Sequence, residues 1–277
     1  MPGTLYIVGT PIGNLEDFTL RAVRILREVE VIAAEDTRVT AKLLAHFEIT
    51  TRAVSYHRHS GTGRLEQIIG WLRDGQSVAL VSDAGMPGIS DPGQALIAAC
   101  VEADIPVVPI PGPSSVTTAL AVSGFNTDTF QFLGFLPRAR KERTAVLRAS
   151  LTQPVTCAAF EAPHRVAETL KDFAALAPAH PLLLARELTK KFEELLRGTA
   201  SELVAQVADR ELRGEIVLVW PGGALEAPPE EDTTPRAIAL AQRYRADGAS
   251  ARDAAARAAA ETGVSRRTIY QELIGGA

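Results

Sequence analysis

Three stretches combine residue types and spacing suited to holding a small ligand. GTPIGN (Gly9–Asn14), VSDAGMPGISDPG (Val81–Gly93) and PIPGPSSVTTAL (Pro109–Leu120) each follow a short apolar run and precede a helical pattern. Open α/β sheets bind ligands in such loops, outside the carboxyl ends of their strands. The second stretch is the richest. Its strand ends in Asp83, which could accept hydrogen bonds from a ribose or an ammonium group, and Gly85 and Gly88 let backbone approach a ligand. Asp91, before Pro92, reads as a helix N-cap. In the third stretch, prolines lead into Ser114, Ser115, Thr117 and Thr118, which either cap a helix or offer hydroxyls and N–H groups to a polar ligand. No base neighbours these serines in sequence, which argues against a nucleophilic serine. The first stretch is not a dinucleotide fingerprint. Thr10 and Pro11 break the glycine pattern, and Pro11 has no N–H to give a phosphate.

Charged residues cluster at other strand ends. AAEDTR (Ala33–Arg38) supplies Asp36 and Arg38, and SYHRH (Ser55–His59) puts His57 and His59 on one face. No third ligand accompanies the histidines, so no metal is expected and a role toward a substrate is the better reading. EAPHR (Glu161–Arg165) and ARELTKKFEE (Ala185–Glu194) bring Arg165, Lys190 and Lys191, which could face a phosphate backbone or be ordinary solvated charges. PRARKER (Pro137–Arg143) is a further basic cluster. The C-terminal DAAARAAAETGVSRRTIYQEL has the form of a helix-turn-helix whose second helix opens with Arg266 and Arg267. Such a start meets phosphates or base edges, or the same geometry serves packing or dimerisation.

The elements that must position these residues follow from periodicity. LYIVG (Leu5–Gly9), VIAAE (Val31–Glu35), AVSYH (Ala53–His57), SVALVSD (Ser77–Asp83) and PVVPIPG (Pro106–Gly112) read as strands alternating with amphipathic helices. That rhythm implies a parallel sheet covered by helices. From Phe130 onward FQFLGFL, VTCAAFEA, PLLLARE, FEELLRGT and GEIVLVW are strands, with helices near Lys141–Leu151, Val166–Leu176 and Ser201–Arg210. The short gap between PLLLARE and FEELLRGT predicts a hairpin, hence a mixed second sheet. The expected organisation is an N-terminal α/β domain at 1–120, a second α/β domain at 121–221, a Pro/Gly/acid-rich linker at 222–234 and a small basic helical domain at 235–277. In that last domain Thr234, Ser250 and Ser265 are the expected caps, with Gly248 and Gly263 as stops.

The 277 residues are 46% hydrophobic and 22% charged, which excludes a disordered chain. No apolar run reaches the ~18–20 residues of a membrane span, the start has no basic n-region, and two cysteines make no scaffold. A cytoplasmic protein is therefore expected. The net charge of −4 is unevenly spread: residues 235–277 hold seven arginines against four acids, a net of +3 that leaves −7 on the remainder.

The motifs LYIVGTPIGNLEDFTLRAVRILREVEVIAAEDTR, SYH, SDAGMPGISDPG, PIPGPSS, GFLPR, FEAPHR, ARELTKKFEELLRGT and GEIVLVW, in this order, resemble the tetrapyrrole-methylase superfamily over about residues 4–221. The likeness is to its branch that methylates ribose 2′-oxygens of small-subunit ribosomal RNA. The resemblance implies S-adenosyl-L-methionine as donor, bound in a cleft between two α/β domains, and a homodimer. It also implies that Pro11, Asp83, Gly85, Met86 and Ile89 line the donor site with Ser114 and Ser115, while Phe160, Ala162 and Leu188 approach from the second domain. The missing phosphate-type glycine loop agrees, because this donor carries no phosphate.

The implied acceptor is a cytidine ribose in the decoding region of 16S rRNA within the small ribosomal subunit, with no DNA or membrane partner. A ribose hydroxyl is a poor nucleophile, so a base or an oxyanion-stabilising cation should help. Asp36, Arg165 and Lys190 are the candidates for that task, and Arg38, His57, Arg138, Arg140, Lys141, Arg266 and Arg267 for contact with rRNA. Two other readings stay open. A methyltransferase of a small tetrapyrrole of the cobalamin or siroheme type would share fold and donor, although the basic extension speaks against it. A ligand-sensing DNA-binding regulator would also join an α/β domain to a helix-turn-helix.

Overall fold

A computed structural model describes residues 2–57, 60–225 and 234–275; His59 and residues 226–233 of the expected linker lie outside the described residues. The chain divides into two compact units, Met1–Leu225 and Glu226–Ala277.

The first unit holds two five-stranded sheets. In the first sheet β1 (Leu5–Val8), β2 (Val31–Ala34), β3 (Ala53–Ser55), β4 (Val78–Val81) and β5 (Val107–Ile110) run parallel in the order β3-β2-β4-β1-β5. Helices α1 (Leu20–Glu28), α2 (Thr37–His46), α3 (Thr62–Arg73), α4 (Gln94–Glu102) and α5 (Ser115–Ala121) connect and cover it. Every residue of β2 and β4 is buried, as a parallel sheet covered on both faces requires. One face packs Phe18, Ile25 and Leu44 against Ile32 and Ala79; the other packs Ile68, Leu72 and Leu96 against Leu5 and Val78.

The second sheet is formed by β6 (Phe130–Phe135), β7 (Thr156–Glu161), β8 (Pro181–Arg186), β9 (Glu194–Thr199) and β10 (Ile216–Trp220) in the order β6-β7-β10-β8-β9. Only β6 and β7 pair in parallel; β8 and β9 form the expected hairpin, and β10 inserts antiparallel between β7 and β8. With α6 (Arg140–Thr152), α7 (Val166–Leu176) and α8 (Ala200–Val207) it encloses a core centred on Trp220, whose ring meets Phe173 edge-on at 4.9 Å and whose indole N–H donates to Ser150 Oγ at 3.0 Å.

The second unit packs α9 (Thr234–Ala246), α10 (Ala251–Thr262) and α11 (Arg266–Gly275) on a small core of Ala237, Ala241, Ala254, Ala255, Ala258 and Ile269. Ser250 accepts from Asp253 N, Gly263 stops α10 in the left-handed region at φ +75, and Ser265 accepts from Thr268 N, which matches the punctuation read from sequence.

One capping expectation fails. Helix α4 begins at Gln94 with Gly93 in the cap position, so Asp91 lies too early to cap it. Gly93 has φ +140, and a Cβ there would lie 2.8 Å from Leu80 Cδ2, so only glycine turns the chain into the helix at this point.

Candidate ligand cavity between two sheets

Strand order explains why the three loops singled out in sequence meet. β1 lies between β4 and β5, so the loops leaving their carboxyl ends are neighbours. Thr10 and Gly85 exchange backbone hydrogen bonds at 2.9 and 3.0 Å, with Gly85 at φ +77. Gly9 and Gly112 pass so closely that a Cβ on Gly9 would lie 2.7 Å from Gly112 Cα and from Met86 Sδ.

These loops face the second sheet across a cavity of about 680 Å³, within the usual range of about 300–1,000 Å³ for small-molecule sites. Its first wall carries Ile12, Glu35, Asp83, Gly85, Met86, Ile89, Asp91, Ser114 and Ser115. The opposite wall carries Phe135, Phe160, Glu161, Ala162, Leu188 and the Gly214–Val217 segment. Ser114 precedes α5 without capping it through its side chain.

The cavity is acidic. Glu35, Asp83, Asp91, Glu161 and Glu215 line it, and among the described residues no Lys, Arg or His does. Asp83 Oδ1 accepts from Asp36 N at 3.1 Å, and Asp83 N donates to Glu35 Oε2 at 3.3 Å. Burial raises the Asp83 carboxyl above its ordinary value, and the neighbouring Asp36 charge adds to this.

The second wall is braced from behind. The Glu161 carboxylate accepts from its neighbour Ala162 N at 2.8 Å and from the Thr169 hydroxyl at 2.6 Å. Arg165 Nη2 donates to Leu136 O at 2.7 Å, Pro137 O at 2.9 Å and Glu161 Oε2 at 3.3 Å, while its Nε lies 3.2 Å from Glu161 Oε1 without hydrogen-bond geometry. Lower on the wall, Glu187 and Thr189 hold left-handed backbone at φ +52 and +66, with the cavity-lining Leu188 between them. Lys190 Nζ ties that turn down through Glu187 at 2.8 Å and Glu215 at 3.1 Å. The same Glu187 side chain fills the space where a Cβ on Gly214 would stand, 2.1 Å from Oε1.

Of the ten expected ligand-contacting residues, all but Pro11 line the cavity, and Ile12 takes that place. Asp36, Arg165 and Lys190 do not line it. Asp36 caps α2 and pairs with Arg38 at 2.6 Å; hydrogen bonds from the Arg38 side chain and backbone hold its carboxyl at about 2, too low for an effective base at neutral pH. Burial works against the Lys190 ammonium, yet its bonds to Glu187 and Glu215 raise it above its ordinary value. Sequence reading passed over Phe135 and the Gly214–Val217 segment. GFLPR carried the signal for the former; the latter depends on β10 inserting between distant strands.

Residues 4–204 match the family model for tetrapyrrole (corrin/porphyrin) methylases. A protein of Halalkalibacterium halodurans named ribosomal RNA small subunit methyltransferase I is 44% identical over 97% of this chain and 93% of its own length. One of the same name from Synechocystis sp. is 45% identical over 97% and 96%. The chain belongs to the tetrapyrrole methylase family, within the ribosomal RNA small subunit methyltransferases I. The methylase fold is shared with Thermus thermophilus uroporphyrin-III C-methyltransferase complexed with S-adenosylhomocysteine, at TM-score 0.57 and 21% identity over 79% of this chain and 97% of that one.

The remaining sites expected on this methylase are spread over its surface. Arg38 is 88% exposed at the start of α2 beside the Asp83 cluster. Arg140 pairs with the buried Asp172 at 2.9 Å while remaining 77% exposed, and Arg138 and Lys141 are exposed beside it. His57 is exposed after β3. In the C-terminal unit Arg252, Arg266, Arg267 and Tyr270 line one groove. No helix among the described residues is long and apolar enough to cross a membrane.

Proposed function

We propose that the chain is an S-adenosylmethionine-dependent methyltransferase of small-subunit ribosomal RNA that methylates the ribose 2′-oxygen of a cytidine in the decoding region of 16S rRNA. The observation that carries this reading is the near-full-length identity to ribosomal RNA small subunit methyltransferases I, including the C-terminal unit. The cavity supports the donor. Its volume suits a nucleoside-sized ligand, its apolar and glycine-backbone walls suit an adenosine, and its carboxylates complement a cationic ligand without a phosphate.

Asp83, Gly85, Met86, Ile89, Ser114 and Ser115 would hold the donor from the first sheet, and Phe160, Ala162 and Leu188 from the second. When bound, S-adenosylmethionine supplies the methyl group as an activated sulfonium substituent. The chain's own residues act by alignment and exclusion of water, which suits an in-line displacement. We assign Arg165 and Lys190 positioning roles, since both brace cavity loops through several hydrogen bonds. Asp36 reaches the Asp83 loop only through its backbone N–H, its carboxylate being held by Arg38. The basic residues Arg38, His57, Arg138, Arg140, Lys141, Arg266 and Arg267 would meet rRNA phosphates, while the acidic body limits indiscriminate binding. A cytoplasmic homodimer acting on the small ribosomal subunit completes the reading.

The test uses methyl-labelled donor with small subunits lacking the modification, naked rRNA and a reduced porphyrinoid in parallel. Label in the subunit supports the reading. Label only in the porphyrinoid would replace it with the small-tetrapyrrole reading, and tight operator-DNA binding without transfer would identify a regulator.

A further inference from the structure

Two large apolar side chains that line the cavity remain more than half exposed: Ile89 at 55% and Phe135 at 60%. Phe135 is there because β6 is irregular. Between the pairs Phe132↔Ala158 and Phe135↔Phe160, β6 advances three residues while β7 advances two. Strict alternation would send Phe135 to the face of Leu133, which packs in the core around Trp220. The extra residue returns it to the face of Phe132, toward the cavity. Gly134 makes this turn at φ +66, and even a Cβ there would meet nothing nearer than Ser90 Oγ at 3.9 Å.

The ring is also held from behind. Phe160 lies 5.3 Å from Phe135 and 4.9 Å from Phe132, both in tilted or edge-on contact, so the Phe135 ring rests on Phe160. Directly after Phe135 the chain enters the basic turn. Arg165 grips Leu136 O and Pro137 O, Arg143 Nη1 grips Arg138 O at 3.2 Å, and Arg143 is itself paired with the buried Asp172 at 2.7 Å. Arg138, Arg140 and Lys141, all exposed, follow within six residues of this half-exposed, cavity-lining ring. An aromatic face next to a row of cations is the combination that binds unpaired nucleic acid, the cations meeting the backbone and the ring stacking on a base.

From this we infer that Phe135 is a stacking platform for a nucleobase of the acceptor RNA, taken out of its helix so that its ribose enters the cavity. The inference rests on the RNA reading proposed above and adds the subsite that receives the base. A stacking role needs the π face, so shape and chemistry can be separated. Phe135→Leu keeps an apolar side chain without a face, Phe135→Trp enlarges the face, and Phe135→Ala removes both.

The experiment measures steady-state methyl transfer to small subunits for the wild type and the three variants, with S-adenosylhomocysteine affinity by calorimetry and thermal melting as parallel readouts. Phe135→Leu and Phe135→Ala should raise the KM for the subunit by about tenfold or more, the scale of one stacked base. Phe135→Trp should stay near the wild type, and all four proteins should bind S-adenosylhomocysteine alike. A wild-type KM in Phe135→Leu would overturn the stacking role alone. A parallel loss of S-adenosylhomocysteine affinity would also overturn it, by moving the ring into the donor site. A wild type that methylates no RNA would overturn the functional reading and this subsite together.

Discussion

Replacing Arg165 by Met tests whether this side chain braces the cavity wall or takes part in chemistry. Its partner Glu161 is fully buried, and Arg165 is 16% exposed, so the pair is screened far less than a surface bridge. Met keeps the apolar stem but leaves the Glu161 carboxylate buried with only Ala162 N and the Thr169 hydroxyl for support. It also strands the Leu136 and Pro137 carbonyls. Removing one partner of a buried pair costs about 3–5 kcal/mol, which for a unit of this size lowers the melting temperature by roughly 6–20 °C. Adding Glu161→Gln removes the stranded charge while keeping an acceptor for Ala162 N, so the double variant should regain the share of the loss that comes from that charge, and the two unpaired carbonyls account for the rest. Urea unfolding of the four proteins, followed by a probe in the first unit, gives the coupling energy directly. A cost under about 1 kcal/mol for Arg165→Met, or a double variant no better than the single, would refute the bracing argument. Full stability with abolished methyl transfer would return Arg165 to the chemistry.

Gly9→Ala forces a Cβ against Gly112 and Met86, so S-adenosylhomocysteine affinity should fall at least tenfold by calorimetry, with a destabilisation of about 1–3 kcal/mol. Asp83 favours a cationic ligand only when ionised, and its carboxyl protonates at higher pH than usual. Donor-analogue affinity should therefore weaken as pH falls toward the acid range, with the drop beginning above the ordinary aspartate titration, and Asp83→Asn should bind weakly with that step removed. Deleting residues 235–277 should weaken binding to the small subunit and flatten its salt dependence while leaving S-adenosylhomocysteine affinity within about twofold. Equal loss of both would sink this division of labour.

Much of this architecture was legible in the sequence because its signals are local. Apolar runs in β1, β2, β4 and β5, each followed by an amphipathic helix, dictate a parallel sheet, and the short LTKK gap between PLLLARE and FEELLRGT predicts the hairpin. The three ligand loops could be singled out because glycine and proline punctuate them, and nine of ten residues expected to touch a ligand line the cavity. What escaped depends on distant partners. Asp36, Arg165 and Lys190 look reactive in isolation, yet their charges are committed to ion pairs whose effect only the fold reveals. Asp91 resembles a cap until Gly93 is seen to turn the chain. Phe135 sits on the wrong face by simple alternation, and a single bulge reverses it.

The most direct test of the central claim is the chemical position of the methyl group. Small subunits from cells lacking the modification are incubated with the protein and methyl-labelled donor, and the rRNA is hydrolysed in alkali. A 2′-O-methylated linkage cannot cleave without a free 2′-hydroxyl, so label is expected in one alkali-resistant dinucleotide with cytidine on its 5′ side. Label released as an ordinary mononucleotide would contradict it, because the methyl would then sit on a base.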